Sequence, residues 1–175
     1  MIISNEEINI TKVKKAEEII SGLQKELSKN IETGAGPFLA AIYDKNNNLI
    51  AKETNSVINE NCSNNHAEIN TIRKAEEKFG TYDLSPYNLS LYVTSEPCIM
   101  CLGAIMWSGI KNVYYGVPSK RVEEITGFDE GFKPGWLEEF RNRGITVYGK
   151  IAQEEGEEIL INYVKSGKKV YMPSR

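Results

Sequence analysis

The sequence predicts an α/β fold, a three-layer α/β/α sandwich around a mixed five-stranded sheet. Three observations carry that expectation. Segments of helical and strand character alternate in the order helix, hairpin, helix, strand, helix, strand, helix, strand, helix. Asp44-Lys45-Asn46-Asn47-Asn48 is turn chemistry between two apolar runs, which makes the first strand pair antiparallel. The later strands are joined through helices, which gives parallel neighbours with right-handed crossovers. A chain of 175 residues, 41% hydrophobic and 26% charged, suits a single soluble domain over residues 1–175.

Residues from about Asn5 to Ser28, within an N-terminal region of about 1–30, read as a helix. There Ile8, Val13, Ala16, Ile19, Ile20, Leu23 and Leu27 recur near helical spacing between Lys and Glu. Thr33-Gly34-Ala35-Gly36-Pro37 ends it. Phe38 to Tyr43 is a short apolar run, a buried strand, and Leu49 to Val57 is its return strand. A polar loop, Asn59 to Asn65, precedes a helix over His66 to Phe79 with Ile69, Ile72, Ala75 and Phe79 facing inward and Gly80 as the stop. Leu89 to Thr94 alternates like a strand, and Pro97 opens a small-residue apolar helix over Cys98 to Ser108. Val113 to Val117 is a strand, and a short helix starts at Ser119. The break Gly131-Phe132-Lys133-Pro134-Gly135 precedes a helix over Trp136 to Arg141. Ile145 to Tyr148 and Glu154 to Val164 are the last strand and helix, and Lys165, Lys168 and Lys169 read as a solvated face. No internal repeat is present.

Charge and cysteine content exclude several function classes. The 21 Lys and Arg against 24 Asp and Glu give a net charge of −3, which argues against a strongly basic nucleic-acid module. Three cysteines cannot form a complete disulfide framework, so a reducing, cytoplasmic setting fits. No apolar run reaches the length of a membrane helix, so no membrane partner is expected. The start Met1-Ile2-Ile3-Ser4-Asn5-Glu6-Glu7 lacks the cationic and long apolar regions of a signal peptide.

The chemistry sits in two segments. The chain's one histidine, His66, lies in His66-Ala67-Glu68, and Pro97-Cys98-Ile99-Met100-Cys101 follows later. Both segments fall at predicted helix starts, where unpaired N–H groups and the dipole stabilise thiolates. Two cysteines three positions apart on a first turn reach one metal together. His66 from a neighbouring helix start completes a three-ligand zinc site with one open position for water, one Zn2+ per chain. Glu68 then serves as general base and afterwards as general acid. His-x-Glu followed by Pro-Cys-x-x-Cys is the pattern of zinc nucleobase deaminases. The competing reading is a non-catalytic protein in which Cys62, His66, Cys98 and Cys101 form a closed structural site. That reading leaves Glu68 without a role.

On these residues the chain resembles the cytidine/deoxycytidylate deaminase superfamily, and within it the bacterial guanine deaminases. The similarity runs from about Gly36 to Phe132 and is densest over His66–Ala75 and Thr94–Ile105. It implies a cytidine deaminase-like fold and hydrolysis of guanine to xanthine and ammonia. The same two stretches also occur in deaminases of cytosine, of nucleosides such as guanosine or cytidine, and of tRNA adenosine. The resemblance further implies that Phe38, Trp107 and Phe128 hold the ring, that Asn55 hydrogen-bonds the purine, and that Ala67 lies beside the base. Gly127-Phe128-Asp129-Glu130 resembles a segment that closes over the purine, with Asp129 and Glu130 assisting proton transfer. Glu130 stands where the family carries Asp. A homodimer and a C-terminal capping segment, about 133–175, are also implied. Glu96 reads only as a cap for the helix after it.

Overall fold

The computed structural model describes residues 5–32 and 34–172, with side chains from residue 10 onward. The opening residues 1–4, the side chain of Ile8, Thr33 and residues 173–175 lie outside the described residues. The expected alternation is present. A long helix α1 (Asn5–Glu32) leads to the hairpin β1 (Leu39–Tyr43) and β2 (Leu49–Thr54). A short helix α2 (Val57–Glu60) and α3 (Ala67–Phe79) follow, then β3 (Ser90–Ser95), α4 (Ile99–Ser108) and β4 (Asn112–Val117). The chain closes with α5 (Ser119–Thr126), α6 (Trp136–Asn142), β5 (Thr146–Tyr148) and α7 (Gln153–Lys165).

The five strands lie in the order β2-β1-β3-β4-β5. β1 pairs antiparallel with both β2 and β3, while β3–β4 and β4–β5 are parallel. Side-chain alternation splits the core into two layers. Ala40, Ile42, Leu91, Val93 and Val113 face Ile72 and Ala75 of α3, Leu102 and Ile105 of α4 and Phe140 of α6. Leu39, Ala41, Tyr92 and Tyr114 face Ala16, Ile20, Leu23 and Leu27 of α1 and Tyr163 of α7. On that second face Tyr92, Tyr114 and Tyr148 occupy matched register positions of three neighbouring strands and stack 4.7 and 5.0 Å apart.

The structure differs from the sequence expectation in four places. β2 ends at Thr54 instead of Val57, because Asn55 turns the chain: its Oδ1 accepts the Val57 N–H at 3.2 Å. The segment expected as a polar loop therefore begins with the helical turn α2. Ile69 and Phe79 are only half-buried; Phe79 stacks on Tyr87 at 4.0 Å, at the rim of the core. Lys168 is not a solvated charge. Its ammonium donates to the Ile31 carbonyl at the end of α1, and Tyr163 Oη donates to the Lys169 carbonyl at 2.7 Å. These two bonds turn the segment after α7 back toward the carboxyl ends of β2, β3 and β4. Among the described residues no helix is long and apolar enough to cross a membrane.

Candidate active site

His66 is the N-cap residue of α3 and Cys98 that of α4. Both helix starts lie at the same end of the sheet, because β3 runs directly into the Cys98 turn and the Asn55 turn delivers His66 from β2. Asn70 fixes this second approach from inside. Its amide donates to the Thr54 carbonyl at 3.1 Å, the Asn65 carbonyl at 3.3 Å and Ser56 Oγ at 3.0 Å. His66 Nδ1 lies 3.5 Å from Cys98 Sγ and 3.6 Å from Cys101 Sγ. Tetrahedral zinc with ordinary Zn–S and Zn–N bonds separates a sulfur from a nitrogen by about 3.6 Å, so the three ligand atoms fit the ion. Among the described residues His66, Cys98 and Cys101 are the group of His, Cys, Asp and Glu side chains able to hold a metal. Cys62 does not join it, so the closed four-ligand site is not formed.

Local electrostatics match this chemistry. A hydrogen bond from Cys101, with support from His66, pulls the Cys98 thiol down to about 4. The same bond, with burial, raises Cys101 well above its ordinary value. Glu68 is 6% exposed. Burial, and then the Cys98 sulfur, push its carboxyl up to about 7. A carboxyl in that range both accepts and returns protons near neutral pH.

Beside His66, Cys98 and Cys101 lies a cavity of about 20 Å³, walled by Phe38, Asn55, Glu68, Phe128 and Tyr171. That is room for about one water. Gly36 makes the Asn55 wall possible, since a Cβ there would stand 2.8 Å from Asn55 Oδ1. Phe38 and Phe128 lie 5.9 Å apart, and Phe128 is 6.1 Å from the His66 ring. Tyr171 fills the remaining space, 5.1 Å from Phe128. Its hydroxyl accepts from Asn55 Nδ2 at 2.6 Å and lies 3.2 Å from His66 Nε2. With Nδ1 turned to the sulfurs, a metal held there would leave the ring proton on Nε2, with the Tyr171 hydroxyl placed to accept it.

The structure thus brings His66, Glu68, Cys98, Cys101, Phe38, Asn55 and Phe128 together, with Ala67 fully buried between His66 and Glu68. Trp107 is not part of this group. It is 83% exposed and borders an outer groove of α3 and α4 with Ile69 and Tyr82, because α4 is apolar on more than its core face. Asp129 is also turned away: it is exposed, and its Oδ1 accepts the Gly131 N–H at 2.9 Å as a turn residue. Glu130 is buried, and burial pushes it up to about 7 against the opposing pull of Ser119 and Lys133. Glu96 does cap a helix, but a later one: its Oε2 accepts the Ser119 N–H of α5 at 3.0 Å. Sequence reasoning missed Tyr171 as part of the site. The only signal was an apolar Val170-Tyr171-Met172 after a cationic stretch.

The profile of the cytidine and deoxycytidylate deaminase zinc-binding region matches residues 13–117, and the chain belongs to that family. Its relatives include deaminases of free bases and of tRNA adenosine. Guanine deaminase of Bacillus subtilis is 38% identical over 104 residues, 59% of this chain and 65% of that enzyme, so the match spans just under two thirds of it. The tRNA-specific adenosine deaminase of Buchnera aphidicola subsp. Schizaphis graminum is 33% identical over 135 residues, 77% of this chain and 84% of that one. The solved guanine deaminase of Nitrosomonas europaea superposes with a TM-score of 0.80 at 36% identity, covering 84% of this chain and 83% of its own.

Proposed function

We propose that the chain is a zinc-dependent hydrolase that deaminates a free nucleobase, converting guanine and water to xanthine and ammonia. The observation that carries the reading is the three-ligand cluster of His66, Cys98 and Cys101 with a buried carboxyl, Glu68, beside it. A three-ligand N/S set leaves a fourth position open, as in catalytic and not structural zinc sites. A zinc ion held by His66, Cys98 and Cys101 would supply a water that is nucleophilic at neutral pH. Glu68 takes the proton of the attacking water and returns it to a ring nitrogen. A C–O bond forms at the amino-bearing carbon; the proton left on that oxygen passes to the amine with the help of Glu130, and the C–N bond breaks to release ammonia and leave a carbonyl. Asn55 pairs with the edge of the base, since one amide offers both a donor and an acceptor. Phe38 and Phe128 flank its faces.

Guanine is favoured by the relatives of B. subtilis and N. europaea together with the Gly127-Phe128-Asp129-Glu130 segment. The tail supports a small substrate. Of the capping segment expected from about 133, the part that covers the site is the stretch after α7, where Tyr171 occupies the space a base needs, so this short tail must open to admit one and close behind it. Ammonia release from guanine, guanosine, cytosine, cytidine and adenine tests the substrate, with guanine expected to be turned over and the others not. Turnover of a different base would retain the zinc chemistry and overturn guanine.

The protein works in the cytoplasm as a homodimer. Three free cysteines, two of them metal ligands, support a reducing compartment. Trp107 and Tyr82, 83% and 84% exposed, border an apolar groove on the outer face of α3 and α4, and this exposed patch, which a second copy would cover, supports the dimer.

A further inference from the structure

Lys133 has no part in the reaction above, yet it joins the turn that carries Cys98 to the loop that carries Glu130. Its side chain is 8% exposed. The ammonium donates to Glu96 Oε1 at 2.8 Å, to the Pro97 carbonyl at 2.9 Å and to Ser119 Oγ. It also lies 3.4 Å from Glu130 Oε2, with the Trp136 ring 5.9 Å away. Burying an ammonium is costly unless it is paired and hydrogen-bonded, and here two carboxylates, a carbonyl and a hydroxyl surround it.

The consequence falls on Glu130. Ser119 Oγ donates to Glu130 Oε2, the same oxygen that Lys133 faces. The other oxygen, Oε1, is engaged by neither. The loop has a second tie, because the Glu130 carbonyl accepts the Ile99 N–H of α4 at 3.0 Å. A Cβ at Gly131 would stand 2.6 Å from Ile99 Cγ2, so the loop lies directly on the metal-binding helix. We propose that Lys133 is a positioning residue for the deamination, holding Glu130 by one oxygen so that the other is offered to the reacting amine. This inference rests on the use of Glu130 proposed above.

The test is Lys133→Met, which keeps the length of the side chain and removes the cation. A second variant, Lys133→Met with Glu96→Gln, removes the carboxylate left unpaired and serves if the first does not fold. Zinc content is expected to stay at the unmodified value. On the substrate that the unmodified protein turns over, kcat is expected to fall about 10- to 100-fold with KM within about threefold. Adding Lys133→Met to Glu130→Gln is expected to cost nothing beyond Glu130→Gln alone. Unchanged kcat, or losses that multiply, would overturn the proposal. Crystal structures of the same variants give an arm independent of turnover. Glu130 Oε2 is expected to leave Ser119 when Lys133 is gone, and a Glu130 that stays in place refutes the proposal whatever the substrate is. Absence of turnover in the unmodified protein would instead count against the reaction itself.

Discussion

Glu68 is governed by two neighbours, the apolar wall that buries it and the sulfurs beside it. In the metal-free protein its carboxyl is raised from 4.5 to about 7. The native state therefore keeps a proton that the unfolded chain releases over that interval. Stability from this group is complete below the lower value and is lost as pH rises through about 7. Glu68→Gln removes the dependence, so the metal-free variant should gain on the metal-free parent as pH rises from 4.5 to 8. A shift of this size corresponds to on the order of 3 kcal/mol. Denaturant melts of both proteins at several pH values measure it, and a constant difference would contradict the burial argument. At this scale the sequence was highly legible for the cluster of three side chains able to hold a metal. His66, Cys98 and Cys101 are chemically rare residue types, placed by local spacing at helix starts. It was least legible for Asp129 and Glu130, adjacent acids of which one is exposed and one buried. Nothing local distinguishes them, because burial is decided by the packing of the loop on α4.

Elements were legible where period and stop signals agree. Gly80 and Gly109 end α3 and α4 in the left-handed region, at φ of 66° and 82°, where glycine is the favoured residue. Trp107 shows the limit of this kind of reading. Periodicity finds a helix, but in a helix apolar on every side it cannot say which face meets the core. Tyr171 was illegible for another reason. It reaches Asn55 and His66 across most of the chain, and the bond from Lys168 to Ile31 that turns the tail back is one no sequence window contains. As the last wall of the site, it should matter to the reaction more than to the fold. Tyr171→Ala is expected to keep zinc and to lower kcat at least about tenfold, since the closed site then admits water. Steady-state kinetics with metal analysis measures this, and an unchanged kcat would leave Tyr171 as a resting plug only.

At the scale of the molecule, the mixed sheet places the chemistry at one end. β2, β3 and β4 all run opposite to β1, so β3 and β4 deliver the Cys98 turn and α5 to that end and β2 delivers Asn55 and His66 to it. This arrangement was legible from the order of elements alone. The outer face of α3 and α4 was not, since an exposed apolar patch is known only once the core has been filled. Light scattering is expected to give twice the chain mass of 19.7 kDa, and Trp107→Asp to give the single mass with zinc retained. A monomeric parent would contradict the dimer.

The central claim is that a zinc site and one buried carboxyl perform hydrolytic deamination. Its most direct test is ammonia release from guanine by the zinc-loaded protein and by zinc-loaded Glu68→Gln. The account predicts turnover by the first and a loss of about 10²- to 10⁴-fold in the second at equal zinc content, the range that general acid–base catalysis contributes. Near-normal turnover in Glu68→Gln would contradict it.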